Sequence, residues 1–543
     1  MINNTTNNID FKDYITALIL TILTTIYLLY FMGFGLENVF GDLGDGRFNN
    51  YVLEHGYRFI IGEHISFWNA PFFYPAQNVT AYSDNHLGTL PFYALFRFLN
   101  YDIETSYQLW AIVIFILNIV SAYFVLRLFK FNIVGSAYGA FLFTFCAPML
   151  WQIGHIQLAP RFMVPIIFYA LAKYIETLEL KYFYIFCASF VGQLYIGIYV
   201  GFFALMGLVC IAPFVAYYLY RKNKAEKFYF SKKYFIGVVL GGVGSIILLI
   251  ILFYHYILLK SQTGGHTFGE IITMLPRVES WLFAKNYKLL PYLNSIGDNL
   301  PNKWEHVMFI GIVPVCALFA SSFLIYKTNR LNFQKIVVAI SIAMIVMIFI
   351  ETLVIFDKYT LYRTLLYWIP GLDSIRAVSR VILFLVFPFA ILSAFVITYI
   401  ANLSKLNYVF RTVIIAVIVL FGVFEQVRFL GEVGTTTKIE SQARYKPLVK
   451  ILEQNKSFDI LLLTYDKPCD GFEKNEIDSM FTAMILNRPT INGYSGNTPF
   501  NYYLRDDNAK YADWLALYKD NFHNKTVAIL DINQSTLNFI TTE

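Results

Sequence analysis

Two aspartates lie close together in the stretch "GDLGDGRFNNYVLEHG" (41–56), directly after an apolar run at 14–34. The glycines around them permit tight backbone turns, so the carboxylates of Asp42 and Asp45 can point into one small volume. Crowded carboxylates at a membrane boundary have perturbed pKa values, and such a group can act as a general base toward a hydroxyl. Two of them can also hold a divalent cation, Mg²⁺ or Mn²⁺, that binds a phosphate. The alternative is a solvated loop in which Asp45 is the N-cap of a following helix.

More polar residues follow in the same segment, some of them after the aromatic stretch "FWNAPFFYPAQNVTAYSDNHLG" (67–88). Aromatic residues at this depth are typical of the belt at a membrane interface, and their faces also stack on sugars. The candidate substrate-binding residues of this segment are Arg47, Glu54, His55, Asp84 and His86.

A second group of candidates lies in "MLWQIGHIQLAPRFMVP" (149–165), at a turn between two apolar runs. It contains His155, Gln157 and Arg161, all near the membrane surface. A single histidine at a helix end is more often structural than functional. Arg161 stands at the outer end of a span, where basic residues are disfavoured, so it needs an anionic partner. An interfacial phosphate is one such partner, and a neighbouring aspartate is the other.

Two more basic residues near the outer membrane surface lie in "GLDSIRAVSRVILF" (371–384). Arg376 and Arg380 are four residues apart, which places them on one helical face. A pair of guanidinium groups can bind a phosphate in bidentate fashion. The alternative is a salt bridge to Asp42 or Asp84. The individual histidines and glutamates in the loop 260–306 are weak signals. Taken together, the acids and arginines on this side of the membrane suit a substrate with an apolar tail and a charged head.

The composition identifies the environment of these residues. The chain has 543 residues, of which 57% are hydrophobic and 14% charged, with a mean hydropathy of +0.54. Soluble domains have about a quarter charged residues, so the sequence predicts an integral membrane protein. The net charge of +6 is modest and does not indicate nucleic-acid binding. Four of the five cysteines lie in apolar runs and Cys469 stands apart, so neither disulfides nor a cysteine-ligated metal is expected.

The apolar runs predict about eleven transmembrane helices, given that a span needs roughly 20 residues. The first run lacks a cleavage site and is expected to be retained. The predicted spans are 14–34, 106–128, 133–150, 160–177, 182–198, 200–220, 234–259, 307–326, 336–355, 379–400 and 411–429.

The short loops predict the orientation. With the N-terminus inside, every inside connection is basic, as the positive-inside rule requires. These connections are 127–130, 173–181, 221–233, 327–335 and 405–411. The sequence therefore predicts a multi-pass protein of the cytoplasmic (inner) membrane with three large outer parts, which are loop 35–105, loop 260–306 and the tail from 430.

The tail combines the signatures of soluble helices and strands. Segment 445–456 has helical spacing, whereas "FDILLLTY" (458–465) and "TVAILDI" (526–532) have the composition of buried strands. We therefore divide the chain into a transmembrane domain at 1–429 and a small α/β domain outside the membrane at 430–543. The lack of an internal repeat weighs mildly against a transporter with inverted repeats.

The motifs resemble those of the GT-C superfamily of membrane glycosyltransferases, most closely bacterial members of unassigned specificity. The similarity rests on the acidic first loop, "GHIQL" (154–158), "IPGLDSIRAVSR" (369–380) and "MFTAMILNRPTINGYSGNTP" (480–499).

This resemblance implies transfer of a hexosyl or pentosyl group from a polyprenyl-phosphate donor in the membrane, usually with inversion. The acceptor would be a glycan such as a cell-envelope polysaccharide, a lipid or a protein. Asp45 or Asp42 matches the position of the catalytic base, and Arg376 and Arg380 match a phosphate-binding role. Members differ in their need for a divalent cation.

Two other functions compete with this one. A transporter or flippase of lipid-linked sugars needs polar residues deep within its spans, and these spans are almost free of charge. A non-catalytic assembly protein would tolerate the loss of Asp42 and Asp45.

Overall fold

The computed structural model describes residues 9–226, 231–327, 332–366, 371–455, 457–466, 471–504 and 507–542. Parts of the predicted basic connections 221–233 and 327–335, the start of the motif 369–380, and Cys469 lie outside the described residues.

The α-helices are α1 (Phe11–Met32), α2 (Asp45–Ile60), α3 (Leu90–Phe98), α4 (Ile103–Leu128), α5 (Ile133–Phe145), α6 (Ala147–Trp151), α7 (Met163–Thr177), α8 (Leu180–Ile196), α9 (Ile198–Glu226), α10 (Lys232–Thr263), α11 (Phe268–Ile272), α12 (Val278–Leu282), α13 (Ile312–Tyr326), α14 (Phe333–Thr352), α15 (Ile382–Ala401), α16 (Tyr408–Gln426), α17 (Lys438–Glu453), α18 (Phe472–Ile485), α19 (Tyr511–Leu517) and α20 (Lys519–Phe522). The strands are β1 (Asn38–Phe40), β2 (Thr435–Thr437), β3 (Ile460–Thr464), β4 (Thr526–Asp531) and β5 (Thr536–Thr541).

In the described ranges, eight helical segments are long and apolar enough to cross a membrane, and α8 and α13 are shorter apolar helices. Every span predicted from the sequence coincides with a helix, so the predicted fold class, a helical polytopic membrane protein, is confirmed. The helices α7 and α13 have 15 residues each and are shorter than the predicted spans 160–177 and 307–326, whereas α8 has 17 residues and is displaced by two from the predicted 182–198. The predicted span 133–150 is interrupted at Cys146, whose backbone is not helical and which precedes α6.

The central helix of the bundle is α15, which is buried along nearly its whole length and packs against α5, α13 and α14. In contrast, α10 and α16 expose most of their apolar side chains, as expected of helices that face lipid. A buried ion pair between Asp13 and Arg127, 2.5 Å apart, joins the start of α1 to the end of α4. The opposite end of the bundle carries residues 33–102 and 264–311 and is called the loop end below.

The C-terminal region, residues 430–542, contains the predicted strands. β3 pairs in parallel with β4, and β4 pairs antiparallel with β5. All five residues of β3 are buried, which agrees with its uninterrupted apolar sequence. The predicted helical segment 445–456 falls mostly within α17. The small C-terminal α/β region is thus confirmed, whereas a domain boundary at 429/430 stays a prediction.

Backbone pairing and a buried charge cluster attach the C-terminal region to the first loop. β1 pairs antiparallel with β2, with Val39 opposite Thr436. Arg47 of α2 and Arg444 of α17 each lie 2.6 Å from a different carboxylate oxygen of Asp478. Because both Arg47 and Asp478 are about 4% exposed, this cluster joins the two parts of the chain in an environment with little water.

We expect Asp478→Asn to destabilise this attachment strongly. The substitution leaves the buried Arg47 guanidinium without a carboxylate, and breaking a buried ion pair on one side typically costs about 3–5 kcal/mol. The measurement is the midpoint of thermal unfolding of the detergent-solubilised protein. Asp513→Asn is the matched control, because its ion pair with Lys510 is largely exposed and is expected to contribute about 1 kcal/mol or less. Equal midpoints for the two variants would contradict the prediction.

Candidate active site at the loop end

Asp45 is the first residue of α2 and the centre of a polar cluster. Its Oδ1 accepts a hydrogen bond from the Tyr494 hydroxyl at 2.9 Å, and its Oδ2 lies 3.2 Å from Nδ1 of His155. The side chain remains 33% exposed. Burial raises the pKa of Asp45 to about 6, and the hydrogen bond from Tyr494 opposes this rise. Asp45 is therefore an accessible carboxylate whose proton affinity is increased.

Asp42 contacts the backbone at the start of α2. Its Oδ1 accepts hydrogen bonds from the backbone N–H groups of Gly44 and Gly46, at 3.1 and 3.2 Å. The interpretation of Asp45 as an N-cap is wrong, because Gly44 occupies the N-cap position and Asp45 lies inside the helix. The carboxylate that satisfies free N–H groups at the start of α2 is that of Asp42.

Two glycines permit this turn. Gly41 has a φ of +94°, and its backbone packs directly on that of Gly46. A Cβ at position 41 would lie 2.6 Å from the Cα of Gly46, which is closer than real contacts allow. The glycines predicted to give tight backbone are thus required here, because they bring Asp42 and Asp45 to the same helix end.

Arg380 forms the second element of the cluster. Its Nε and Nη2 donate to the two carboxylate oxygens of Glu305 at 2.8 and 2.7 Å, which is a bidentate pair. Both side chains are buried, and the guanidinium also lies 5.4 Å from the ring centroid of Tyr199. The predicted partners of Arg380, Asp42 or Asp84, are therefore wrong. Although burial alone would raise the pKa of Glu305, the Arg380 guanidinium lowers it to about 2, so the pair is ionised at neutral pH.

His155 lies between these two elements. Its Nδ1 faces Asp45, and its Nε2 is 3.9 Å from Oε1 of Glu305. Its backbone, with φ −94° and ψ 59°, departs from helical geometry inside the short 3-10 helix Gln152–Leu158. The turn motif predicted from the sequence thus contributes one side chain directly to the cluster. We refer to Asp45, His155, Glu305, Arg380 and Tyr494 as the Asp45 cluster.

Arg376 is the uncompensated cation beside this cluster. Its side chain is half-buried and forms no hydrogen bond or ion pair with any residue in the described part of the chain. Its charge nevertheless acts on Glu305, whose pKa it helps to lower, and on the nearby His266. A guanidinium without a carboxylate partner is suited to an anionic group of a ligand.

Asp84 is buried and joins the first loop to the start of α9. Its Oδ1 accepts the backbone N–H of Ile198 at 2.6 Å, and Ile198 is the first residue of α9. Burial raises the pKa of Asp84 to about 6, and this N–H together with Arg380 opposes the rise. Asp84 is thus close enough to Arg380 to feel its charge, but the structure uses it as a helix-terminal acceptor.

Several other predicted residues have structural partners. Glu54 is fully buried and accepts hydrogen bonds from Tyr93 and Arg97, both at 2.8 Å. His55, also fully buried, contacts Nδ1 of His64 and the Phe67 carbonyl at 2.7 and 2.8 Å. Because neither side chain has exposed surface, we withdraw both as substrate-binding candidates.

Arg47 and His86 are likewise held inside the fold. Arg47 pairs with Asp478, and His86 places its Nε2 2.8 Å from Oδ1 of Asn49 on α2. His86 is 1% exposed. We withdraw both residues as candidates and assign them to the support of α2, one turn or less from Asp45.

Arg161 has neither of its predicted partners. The guanidinium is fully buried and donates to the backbone carbonyls of Leu383 and Phe143, both at 2.9 Å. It also lies over the Phe143 ring, 4.9 Å from the centroid. Backbone carbonyls of α5 and α15 take the place of the expected phosphate or aspartate. The same motif contains Gln157, which is half-buried and whose Oε1 accepts no hydrogen bond from the described residues.

A divalent cation needs several oxygen or nitrogen ligands close together. No group of three or more His, Cys, Asp or Glu side chains among the described residues has the geometry to hold a metal ion. The carboxylates nearest the cluster already have protein donors, since Asp42 accepts two N–H groups, Asp45 accepts from Tyr494, and Glu305 is paired with Arg380. The residues therefore do not form a ready-made cation site, and the predicted cation binding by Asp42 and Asp45 stays a prediction.

Two residues of the cluster, and Tyr199 beside Arg380, were not among the predicted site residues. Glu305 stands in "NKWEH", Tyr199 follows the break between α8 and α9, and Tyr494 lies in the "INGYSG" part of a recognised motif. Glu305 is held in place through its neighbour Trp304, whose backbone carbonyl accepts a hydrogen bond from the indole N–H of Trp151 at 2.9 Å. Of these three residues, only Tyr494 lies in a segment that the sequence marks as a motif, and nothing in that motif indicates a contact with Asp45.

Comparison with known proteins gives a structural similarity. No protein-family model matches the sequence, and no curated protein matches it. The fold is similar to that of the Archaeoglobus fulgidus oligosaccharyltransferase in the crystal structure of its apo form, with 12% sequence identity and a TM-score of 0.48. The alignment covers 94% of this chain and 69% of that chain. A similarity at this level does not assign a reaction to this chain.

The Arg380–Glu305 pair gives a testable energetic prediction. Glu305→Gln leaves a buried guanidinium without its carboxylate, so we expect a loss of about 3–5 kcal/mol in stability. The double variant Glu305→Gln/Arg380→Met removes the stranded charge and is expected to be more stable than Glu305→Gln alone. Thermal unfolding in detergent measures both. A double variant that loses as much as the two single variants combined would show that the residues are not energetically coupled.

Proposed function

We propose that this chain is a membrane glycosyltransferase of the GT-C type that transfers a sugar from a polyprenyl-phosphate donor to a hydroxyl group of an acceptor. The observation that carries the proposal is the Asp45 cluster at one end of a bundle of apolar helices. It holds an accessible carboxylate, and its members His155 and Glu305 lie within range of the charge of the Arg376 guanidinium. The motif resemblance supports the same reaction. A sugar attached to a lipid phosphate matches this setting, because its tail suits the bilayer and its head is anionic.

Asp45 has the properties of a general base. A base works best when its pKa lies near the operating pH, since it must be ionised and still bind a proton well. A pKa of about 6 meets both conditions at neutral pH. One carboxylate oxygen is held by Tyr494, and the other faces His155 and the partly exposed side of the cluster.

Arg376 is assigned to the leaving phosphate. When the bond between the anomeric carbon and the phosphate oxygen breaks, negative charge grows on the phosphate, and a fixed cation stabilises it. The charge of Arg380 is balanced by Glu305, so Arg376 supplies the unbalanced positive charge. Of the two arginines expected to bind phosphate, Arg376 keeps that role in this proposal and Arg380 does not.

The proposed step balances as a single displacement. Asp45 takes the proton of the acceptor hydroxyl, and the oxygen attacks the anomeric carbon on the face opposite the phosphate. The new glycosidic bond forms as the bond to the phosphate oxygen breaks, and the phosphate leaves with the electron pair. An attack from the opposite face inverts the anomeric centre.

The orientation follows from the basic short loops. We propose that the loop end and the C-terminal region lie outside the cytoplasmic membrane, with the N-terminus inside, so that donor and acceptor meet on the outer surface. The acceptor is a glycan, a lipid or a protein that carries a free hydroxyl. This placement agrees with the buried Asp13–Arg127 pair at the opposite end, where Arg127 belongs to a predicted inside connection.

The decisive test compares Asp45→Asn with Asp42→Asn. Membranes that contain each form are supplied with a panel of labelled polyprenyl-phosphate sugars, and transfer of label is measured. We expect Asp45→Asn to lose about 10²–10⁴-fold in rate, which is the usual contribution of a general base. Asp42→Asn should stay within about tenfold of the wild type, because its carboxylate caps α2. Purified Asp45→Asn must unfold at the wild-type temperature for the comparison to count.

The pH profile provides the second part of this test. A base must be deprotonated to act, and the pKa of Asp45 is raised to about 6. Transfer should therefore be complete above this pH and fall as the pH drops through about 6. Full activity of Asp45→Asn would overturn the base assignment. A wild type that moves lipid-linked sugars across the membrane without transferring label would instead favour the flippase alternative.

The assignment of Arg376 makes a separate prediction. Arg376→Gln should lower the transfer rate by about 10²-fold or more, because it removes the charge that stabilises the leaving phosphate. Arg376→Lys should recover part of that loss, since it restores the charge without the planar donor geometry.

Arg363→Gln is the matched control, because Arg363 is exposed at the loop end and contacts only the Phe268 ring among the interactions found in the described residues. Its rate should equal that of the wild type. Equal rates for Arg376→Gln and Arg363→Gln would remove Arg376 from the mechanism.

A further inference from the structure

Tyr494 reaches Asp45 from the far end of the sequence. Its hydroxyl donates to Oδ1 of Asp45 at 2.9 Å across a separation of 449 residues. The ring packs edge-on against Phe48 of α2, with centroids 5.7 Å apart. The phenol is thus directed at Asp45 by a contact on the same helix.

The segment that carries Tyr494 is fixed on both of its edges. On one edge, Leu461 of β3 donates to the Pro489 carbonyl at 2.9 Å, and Ile491 donates to the Leu461 carbonyl at 3.0 Å. On the other edge, the backbone of 489–492 pairs with 71–74 of the first loop through three hydrogen bonds of 2.9–3.0 Å. The segment therefore continues the C-terminal sheet into the first loop.

Side chains hold the last residues before Tyr494. Asn492 uses its amide to bond both the N–H and the carbonyl of Leu463, at 2.7 and 3.0 Å. The N–H of Gly493 donates to the fully buried carboxylate of Glu476 at 2.8 Å. A Cβ at position 493 would overlap the Phe73 ring. The position of Tyr494 is therefore fixed by buried interactions.

We propose that Tyr494 is a positioning residue for Asp45, so that the C-terminal region contributes directly to the geometry of the active site. This inference rests on the proposed function, because it assigns the phenol a role in orienting the base. The phenol binds Oδ1 and leaves Oδ2 for the acceptor proton. A carboxylate without this contact rotates freely about its χ angles and spends less time in a productive orientation.

The electrostatic surroundings define what the phenol changes. The charged and titratable groups that act on Asp45 include Asp42, Glu305, Arg380, His155 and Tyr494. The charge of Asp45 also acts on Tyr107, and that of Glu473 acts on Tyr494. The hydroxyl of Tyr494 lowers the pKa of Asp45 against the effect of burial. Removing that hydroxyl should therefore raise the pKa of Asp45 further, which makes the base protonated over a wider range of pH.

The test is Tyr494→Phe, which keeps the ring and removes only the hydroxyl. We expect kcat to fall by about 10-fold or more, as for a hydrogen bond to a charged group, while KM for the donor stays unchanged. The acidic limb of the pH profile should move to higher pH. A purely structural role would lower the amount of folded enzyme and would leave the position of that limb unchanged.

Tyr445→Phe is the matched control. The Tyr445 hydroxyl donates to Oε1 of Glu104 at 3.0 Å and so joins the C-terminal region to α4 by the same kind of bond, away from Asp45. This variant should keep the wild-type pH profile. If both variants have the wild-type profile while Asp45→Asn is inactive, the positioning role is overturned and the proposed function stands.

A readout without turnover separates the two claims. Carbodiimides react with protonated carboxyl groups, so the labelling of Asp45 at a series of pH values, followed by mass spectrometry, reports its protonation. Labelling should persist to higher pH in Tyr494→Phe than in the wild type or Tyr445→Phe. Identical labelling curves would overturn the inference even if no sugar donor supports transfer.

Discussion

The ion pair between Arg380 and Glu305 is the interaction on which the candidate site depends. Two charges buried at the end of a helical bundle are tolerated only when each satisfies the other, and the bidentate geometry achieves this. The pair joins the start of α15, the most buried helix, to the loop that precedes α13. Because the pair is electrically neutral as a unit, it leaves Asp45 and Arg376 as partly exposed charges near it. Asp45 and Arg376 have opposite charges and separate proposed roles. They can coexist in one site because Arg380 and Glu305 neutralise each other.

The site is assembled from segments that are distant in sequence. The first loop supplies Asp45, the turn after α6 supplies His155, and the C-terminal region supplies Tyr494. The bundle provides the platform, and the segment just before α15 supplies Arg376 and Arg380. Each segment is held by its own interactions, such as the Asp42 contacts that start α2 and the Glu476 contacts that set the chain before Tyr494. Because each segment needs its own hydrogen bonds and ion pairs, many polar residues near the site are buried and unavailable to a substrate.

The sequence predicts the fold better than it predicts the site, and the reason is physical. Long apolar runs locate the helices whatever surrounds them, and the uninterrupted apolar residues of β3 are recognisable for the same reason. Partner choice depends on which loops meet. Spacing predicts Arg376 and Arg380 on one helical face, which is wrong because residues 375–377 are not helical. Spacing also contains no information that Glu305 lies opposite Arg380. Arg161 shows the same limit, since a guanidinium at a helix end was expected to need an anion and instead binds the carbonyls of Leu383 and Phe143. The tight turn that brings Asp42 and Asp45 to one helix end was predictable from the glycines around them, because local geometry is what spacing encodes.

The pairing of residues 71–74 with 489–492 has a consequence for the order in which the protein assembles. Asp45 leaves the ribosome early, and more than four hundred residues must follow before its partner Tyr494 exists. Contacts at such separation form late, because the chain between them must first be ordered. The membrane bundle therefore inserts while the first loop still lacks the strand that completes it. A chain interrupted before position 489 retains every helix predicted to cross the membrane but lacks Tyr494, so the candidate site is completed only after the last of these helices has been made.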